Sequence, residues 1–316
     1  MNRLVTSLLL ALLIGVLAAC GGNNAPASSS APVAGSPVSS AATTEASPAA
    51  ASSAVAASPS DVIESAAPVA TSSTGRALNV FAAASLTDAF TEIGQQFDAA
   101  NGSTTTFNFA GSQQLAQQIA QGAPVDVFAS ANNTQMNNVI EAGQVISGTQ
   151  QTFVRNRLVV IYPSDNPAQI TTLQDLAKPD LQLVLADRAV PVGQYSLDFL
   201  AKASESPEFT STFSETVIAN VVSYEENVRA VLSKVALGEA DAGIVYTSDI
   251  SQDSADQVGR LDIPDDLNTI ASYPIAPTAE SANPELAQRF VDYVLSADGQ
   301  AILEQYGFLR ADSATD

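Results

Sequence analysis

Four short stretches of the chain place a small polar side chain or a free backbone N–H where an amphipathic helix begins. They are Ala82-Ala83-Ala84-Ser85-Leu86-Thr87-Asp88, Phe109-Ala110-Gly111-Ser112-Gln113-Gln114-Leu115, Val190-Pro191-Val192-Gly193-Gln194-Tyr195 and Tyr224-Glu225-Glu226-Asn227-Val228-Arg229. The first turn of a helix has N–H groups with no partner inside the helix, and it carries about half a positive charge. Several such starts aimed at one point bind an anion without any Lys or Arg. Taken singly, each is an ordinary cap. Ser85 reads as an N-cap with Asp88 three residues on, and Ser112 as the cap of the next helix. Spacing alone does not show that the four starts converge.

The elements around these starts alternate between short apolar strands and helices. Leu78 to Phe81, Thr104 to Phe109, Val125 to Phe128, Leu158 to Tyr162, Leu181 to Ala186 and Ala242 to Tyr246 read as strands. Leu86, Phe90, Ile93 and Phe97 fall on one helical face. Leu115/Ile119, Tyr195/Phe199/Leu200, Val228/Leu232/Val235 and Leu286/Phe290/Val294 mark further helices, with Gly238 as a C-cap. Strands alternating with helices predict parallel βαβ sheets. In such sheets ligands sit at the carboxyl ends of the strands, where these helix starts lie.

Composition removes most other chemistry. The 316 residues hold 33 acidic and 12 basic side chains, no His and a single Cys, with a net charge of −21. That balance excludes a nucleic-acid binder, because phosphate contacts need Lys and Arg. Without His there is no Ser-His or Cys-His nucleophile pair and no imidazole zinc ligand. Gly-x-Ser-x-Gly, Ser-x-x-Lys, P-loop and Gly-x-Gly-x-x-Gly patterns are absent, so the chain reads as a non-enzyme with no cofactor and no metal-cation site. The pairs Glu225-Glu226 and Asp265-Asp266 read as solvated acidic turns.

The first 75 residues differ from the rest. Arg3 precedes an apolar run, Leu4 to Ala19, too short to span a membrane as a helix and typical of a signal peptide. It ends in Leu17-Ala18-Ala19-Cys20-Gly21-Gly22, which resembles the lipobox of bacterial lipoproteins. That resemblance implies cleavage after residue 19, acylation of Cys20, and an extracytoplasmic protein anchored to the cell membrane. In residues 21–75, Ala, Ser and Pro make up 36 of 55 positions, with no aromatic side chain and three charges. Such a segment cannot bury enough apolar surface to offset the entropy of ordering. With Cys20 it is expected to be a disordered tether, residues 20–75, reaching roughly 40 Å as a coil.

From residue 76 onward the motifs follow one order. Val80-Phe81-Ala82-Ala83-Ala84-Ser85-Leu86-Thr87 comes first, then Phe109-Ala110-Gly111-Ser112 and Gly122-Ala123-Pro124-Val125-Asp126-Val127-Phe128-Ala129-Ser130-Ala131. Val190-Pro191-Val192-Gly193-Gln194-Tyr195, Glu226-Asn227-Val228-Arg229, Gly243-Ile244-Val245-Tyr246, Tyr273-Pro274-Ile275 and Tyr306-Gly307-Phe308 complete the series. Together they resemble the molybdate-binding proteins of bacterial ABC transporters. The resemblance implies an α/β fold of the two-lobed periplasmic-binding-protein type II, each lobe a mostly parallel sheet flanked by helices, with the ligand cleft between lobes. Residues 76–157 and 271–316 are then lobe 1 and residues 158–270 lobe 2, with crossings near Arg157 and Ala271.

By the same resemblance, molybdate or tungstate is held by the hydroxyls and N–H groups of Ser85 and Ser112, the N–H groups of Val192 and Val228, and the Tyr246 hydroxyl. Ala131 adds a further N–H. Val192 stands where some relatives have Ala. The partners implied are the oxyanion and an ABC permease, and the expected state is a monomer. The same fold binding sulfate or thiosulfate is the alternative. A tethered hydrolase and an adhesive lipoprotein rank below both. Of the cations that could hold an anion instead, Arg155, Arg157, Arg188 and Arg229, the last lies beside Val228. One helical position turns it about 100° away, so a surface role is expected for it. Asp126 is expected to be structural, capping or bonding across lobes.

Overall fold

The computed structural model describes residues 76–251 and 254–312. The expectations for the signal segment, Cys20 and the tether fall outside these residues. The chain begins with strand β1 (Arg76–Ala83), a short 3-10 turn, helix α1 (Thr87–Asn101), β2 (Ser103–Ala110), α2 (Ser112–Ala120), β3 (Val127–Ala129), α3 (Asn133–Glu141) and β4 (Gln151–Asn156). After one intervening residue, Arg157, come β5 (Leu158–Pro163), β6 (Leu183–Ala186), α4 (Pro191–Glu205), α5 (Phe213–Ala219), β7 (Val221–Glu225) and α6 (Val228–Ala236). Then follow β8 (Ala242–Tyr246), β9 (Val258–Asp262), β10 (Ala271–Pro277), α7 (Pro284–Leu295), α8 (Ala297–Gln305) and β11 (Leu309–Arg310).

These strands form two sheets. The first runs β11-β4-β10-β3-β1-β2 and the second β7-β6-β8-β5-β9. Both are mixed. β1, β2 and β3 pair in parallel, as do β6, β7 and β8, because helices carry the chain back between them. The strands that enter or leave a sheet at the crossings, β4, β10, β5 and β9, pair antiparallel. Asn268, in the returning connection, donates to the carbonyls of Leu158 and Ile263 and accepts from Leu158 N–H, at 2.9, 3.3 and 3.1 Å. It ties the second crossing to the first.

Local sequence explains the pieces that flank the cleft. Leu86, Phe90, Ile93 and Phe97 of the α1 stripe are all buried, and the helix stops at Gly102, whose φ of 60° ends it without a Cβ penalty. Around them the first lobe packs rings edge to face, Phe97 on Phe290 at 5.2 Å and Phe90 on Phe290 at 5.9 Å. The second lobe is packed mainly with aliphatic side chains, among them Val159, Ile161, Val231, Val235 and Ile244. Asn227 caps α6 by accepting from Ala230 N–H at 3.0 Å, and Gly238 at φ 71° follows its end. Among the described residues no helix is long and apolar enough to cross a membrane.

Candidate oxyanion site between the two sheets

The carboxyl ends of β1, β2, β3 and β8 and the starts of α4 and α6 converge on one cavity with about 210 Å³ of empty space including its mouth. Ser85, Ser112, Ala131, Val192, Val228 and Tyr246 all line it. All six are buried. No charged side chain lines the cavity, and Arg155, Arg157, Arg188 and Arg229 are all absent from its wall.

The two serines sit at helix starts but do not cap them. α1 begins after Leu86 and α2 after Gly111, and neither helix has a side-chain cap. Ser85 Oγ instead lies 2.9 Å from Tyr273 Oη. Ser112 Oγ accepts from Ala131 N–H at 3.0 Å. This corrects two expectations. The serines are not caps, because Tyr273 on β10 and the loop residue Ala131 engage the hydroxyl oxygens. Ala131 is not a free donor, because its N–H is spent on Ser112. With one lone pair taken by Ala131 N–H, the Ser112 hydroxyl is free to turn its proton to the cavity.

On the opposite wall the donors are backbone. Pro191 opens α4 with no N–H of its own, and Val192 follows in the first turn. Val228 is the first residue of α6 after its Asn227 cap. Gly193 lets α4 seat directly on the end of β6, where a Cβ would lie 2.1 Å from Asp187 O. Tyr246 closes β8 and brings the one phenol on the wall. Its Oη is buried and lacks a hydrogen bond of normal geometry, although the Tyr273 hydroxyl is near enough to weigh on its ionisation and the two rings lie 5.8 Å apart. Burial pushes its pKa well above the usual tyrosine value, so the group is a neutral donor. A buried hydroxyl without a partner costs free energy that a bound acceptor returns.

The two walls touch around the cavity. Gln113 Nε2 donates to Glu226 O and Gln114 Nε2 to the Glu226 carboxylate, each at 2.9 Å. The approach is so close that a Cβ on Gly111 would lie 2.4 Å from Glu226 O. Arg229 reaches back from α6 to Asp88 on α1, 2.6 Å away, and lies 3.4 Å from Asp249. The expected surface role for Arg229 is therefore wrong. Helical phase turns it away from Val228, but the opposing lobe fills the space it turns into. Asp249 is fully buried, and burial raises its pKa to about 6 against the pull of Arg229.

The remaining candidates are structural. Asp126 accepts from Asn79 N–H at 2.8 Å and from Ser281 Oγ at 2.6 Å, bonding within the first lobe and not across the cleft. Asp265 pairs with Arg157, and Glu225 with Lys234. Among the described residues no cluster of three acidic side chains could hold a cation. Sequence reading missed Asn156 and Asp249 and assigned Tyr273 no role. Tyr273 stands in the Tyr273-Pro274-Ile275 motif, whereas Asn156 carries no local signal.

A sequence profile of the family described as bacterial extracellular solute-binding protein matches residues 78–309. The molybdate-binding protein ModA of Mycobacterium tuberculosis is 35% identical over 308 residues, covering 97% of this chain and 98% of that protein. Among solved structures, the substrate binding domain of a putative molybdenum ABC transporter from Clostridium difficile aligns with TM-score 0.57 at 28% identity, over 75% of this chain and 100% of that one. The sulfate-binding protein SubI from Mycobacterium tuberculosis aligns with TM-score 0.67 at 17% identity over 76% of this chain and 88% of that one, a likeness of fold alone. A donor-lined cleft at the carboxyl ends of two sheets fits capture and not catalysis, and with the match across nearly all of the described residues the chain belongs to the bacterial extracellular solute-binding proteins and is not an enzyme.

Proposed function

We propose that this protein captures molybdate, and tungstate with it, between its two lobes and delivers it to an ABC permease. The observation that carries the reading is the cavity wall itself: two serine hydroxyls, two helix-start N–H groups and an unpartnered buried phenol, with no charged side chain among them. Molybdate is a tetrahedral dianion that carries no proton near neutral pH, so its four oxygens only accept hydrogen bonds. Neutral donors suffice, because hydrogen bonds to an ionised acceptor run about twice as strong as neutral ones. The net charge of −21 is no obstacle, since surface charges are screened within about 8–10 Å and the ligand sits inside a cleft. The likeness to proteins named for molybdate binding supports the choice of anion.

Ser85, Ser112 and Tyr246 are assigned as hydroxyl donors, and Val192 and Val228 as backbone donors. Ala131 acts through Ser112. Residues 1–19 serve as the signal segment, acylated Cys20 as the membrane anchor and residues 21–75 as the tether. Each buried CH₂ of the acyl chains adds about 0.8 kcal/mol of membrane affinity. The folded part works as a monomer with lobes 76–157 plus 271–316 and 158–270.

Sulfate also accepts only, and a sulfate-binding protein shares the fold, so sulfate is the second reading. Calorimetric titration of ligand-free protein with molybdate, tungstate, sulfate and thiosulfate separates the two. Tight binding of molybdate and tungstate with weak sulfate is expected; sulfate binding tighter than molybdate would overturn the assignment.

A further inference from the structure

Tyr273 is fully buried on β10, one of the crossing strands, and stands behind the cavity wall without lining it. Its Oη lies 2.9 Å from Ser85 Oγ and 3.4 Å from Asn156 Nδ2. Asn156 favours one direction for the proton between Tyr273 and Ser85, a pair in which either oxygen could donate. Asn156 Oδ1 accepts from Arg157 N–H and from Thr247 Oγ1, each at 3.0 Å. A backbone N–H can only donate, so that side of the amide is its oxygen and the other is its NH₂. The NH₂ donates to Ser248 Oγ at 2.7 Å and to Tyr273 Oη. Tyr273 Oη thus accepts from Asn156, and donation to Ser85 Oγ, 2.9 Å away, gives its own buried proton a partner. Burial raises the Tyr273 pKa, which keeps that proton in place. Ser85, having accepted from Tyr273, is left with one proton and one lone pair, and the cavity is open to the proton. Ser112 reaches the same state by a shorter route, since Ala131 N–H fixes its oxygen as an acceptor.

We propose that Tyr273 is a positioning residue for specificity: its hydroxyl occupies one lone pair of Ser85 Oγ and turns the serine proton toward the cavity, so the site disfavours oxyanions that carry a proton. The inference rests on the oxyanion reading and deepens it. A serine with a free hydroxyl rotor is donor or acceptor as its ligand demands. A serine held by Tyr273 has one lone pair already taken, which favours turning its own proton to the ligand. Phosphate at mildly alkaline pH is the informative probe, being a tetrahedral dianion like molybdate but one that still carries a proton needing an acceptor. Leaving that proton unpaired in a buried site costs the desolvation of the group. Sulfate, also doubly charged and proton-free, is the control for size.

The test is Tyr273→Phe. Its ring stays packed against Phe153, Tyr246 and Phe308, and only the hydroxyl is lost. Dissociation constants for molybdate, sulfate and inorganic phosphate are measured by calorimetry on wild type, Y273F, Ser85→Ala and the double variant. Y273F is expected to weaken molybdate up to about tenfold, keep the molybdate-to-sulfate ratio, and cut the molybdate-to-phosphate ratio by at least as much again. In the Ser85→Ala background the added Y273F should leave the phosphate ratio unchanged, because the hydroxyl through which it acts is gone. Equal weakening of all three anions, no change, or a ratio that still shifts without Ser85 would overturn the inference. A wild-type protein that binds no oxyanion overturns the proposed function and this inference with it; a wild-type protein that binds molybdate beside a silent Y273F overturns this inference alone.

Discussion

The two walls of the cavity present the same kind of group by different means. The first lobe offers the side-chain hydroxyls of Ser85 and Ser112, each held by a partner from elsewhere in the fold. The second lobe offers the first-turn N–H groups of α4 and α6, plus Tyr246, whose hydroxyl nothing holds. A helix start fixes the direction of its N–H through the backbone, so the side chain there matters little. A hydroxyl rotates, and its direction must be imposed. The first lobe therefore needs a support behind each donor, while the second lobe needs only helices of the right phase.

Four measurements test that contrast. The largest effect is expected from Ser85→Ala with Ser112→Ala. Two hydrogen bonds to an ionised acceptor are worth about 3–6 kcal/mol together, so calorimetry should register at least a hundredfold loss of molybdate affinity. A loss below tenfold would mean that the second lobe alone carries the site.

Next is the buried acid behind the second wall. The pKa of Asp249 is raised by burial to about 6 from an ordinary 3.8, so in the folded state its ionisation is disfavoured. Its contribution to stability is full below about pH 4 and is lost as the pH rises through about 6. Relative to Asp249→Asn, which cannot ionise, wild type should lose on the order of 2–3 kcal/mol across that window and nothing above it. Chemical denaturation of both proteins through the window checks this; a constant difference between them defeats it.

Tyr246→Phe and Val192→Ala form a pair with opposite signs. Removing the Tyr246 hydroxyl takes away an unpartnered buried group, so the ligand-free protein should gain about 1 kcal/mol while molybdate affinity falls roughly ten- to hundredfold. Val192→Ala, the smallest effect on binding, removes buried methyl groups and should cost about 1–2 kcal/mol of stability with affinity within about threefold, because the donor is backbone. Melting temperatures and titrations on the two variants give both readings. A large affinity loss for Val192→Ala would show that the wall's shape, and not its N–H, is what binds.

Much of the framework could be read along the chain. The apolar spacing of Leu86, Phe90, Ile93 and Phe97 and the Gly238 stop describe local preferences that packing reinforced. β4, β7, β9, β10 and β11 escaped notice because their burial depends on what crosses or covers them, and Gln151–Asn156 has no alternating pattern to betray it. The site divided in the same way. A serine before a helix looks like a cap, and only a distant tyrosine or a neighbouring loop N–H makes it something else. Arg229 was misplaced because the angle along its own helix says nothing of Asp88 on another.

The order of residues by itself determined which donors exist. Helix starts follow strands at Ser85, Ser112, Val192 and Val228, and no His or second Cys is present to offer other chemistry. The tertiary structure alone decided that these donors face one point, and which partner holds each serine hydroxyl. Convergence is a property of two sheets meeting, and the orientation of a rotor depends on atoms that are remote in the chain. Asn156 at the end of β4, Tyr273 within β10 and Ser85 just after β1 are far apart in sequence, and only the fold sets them within hydrogen-bond reach.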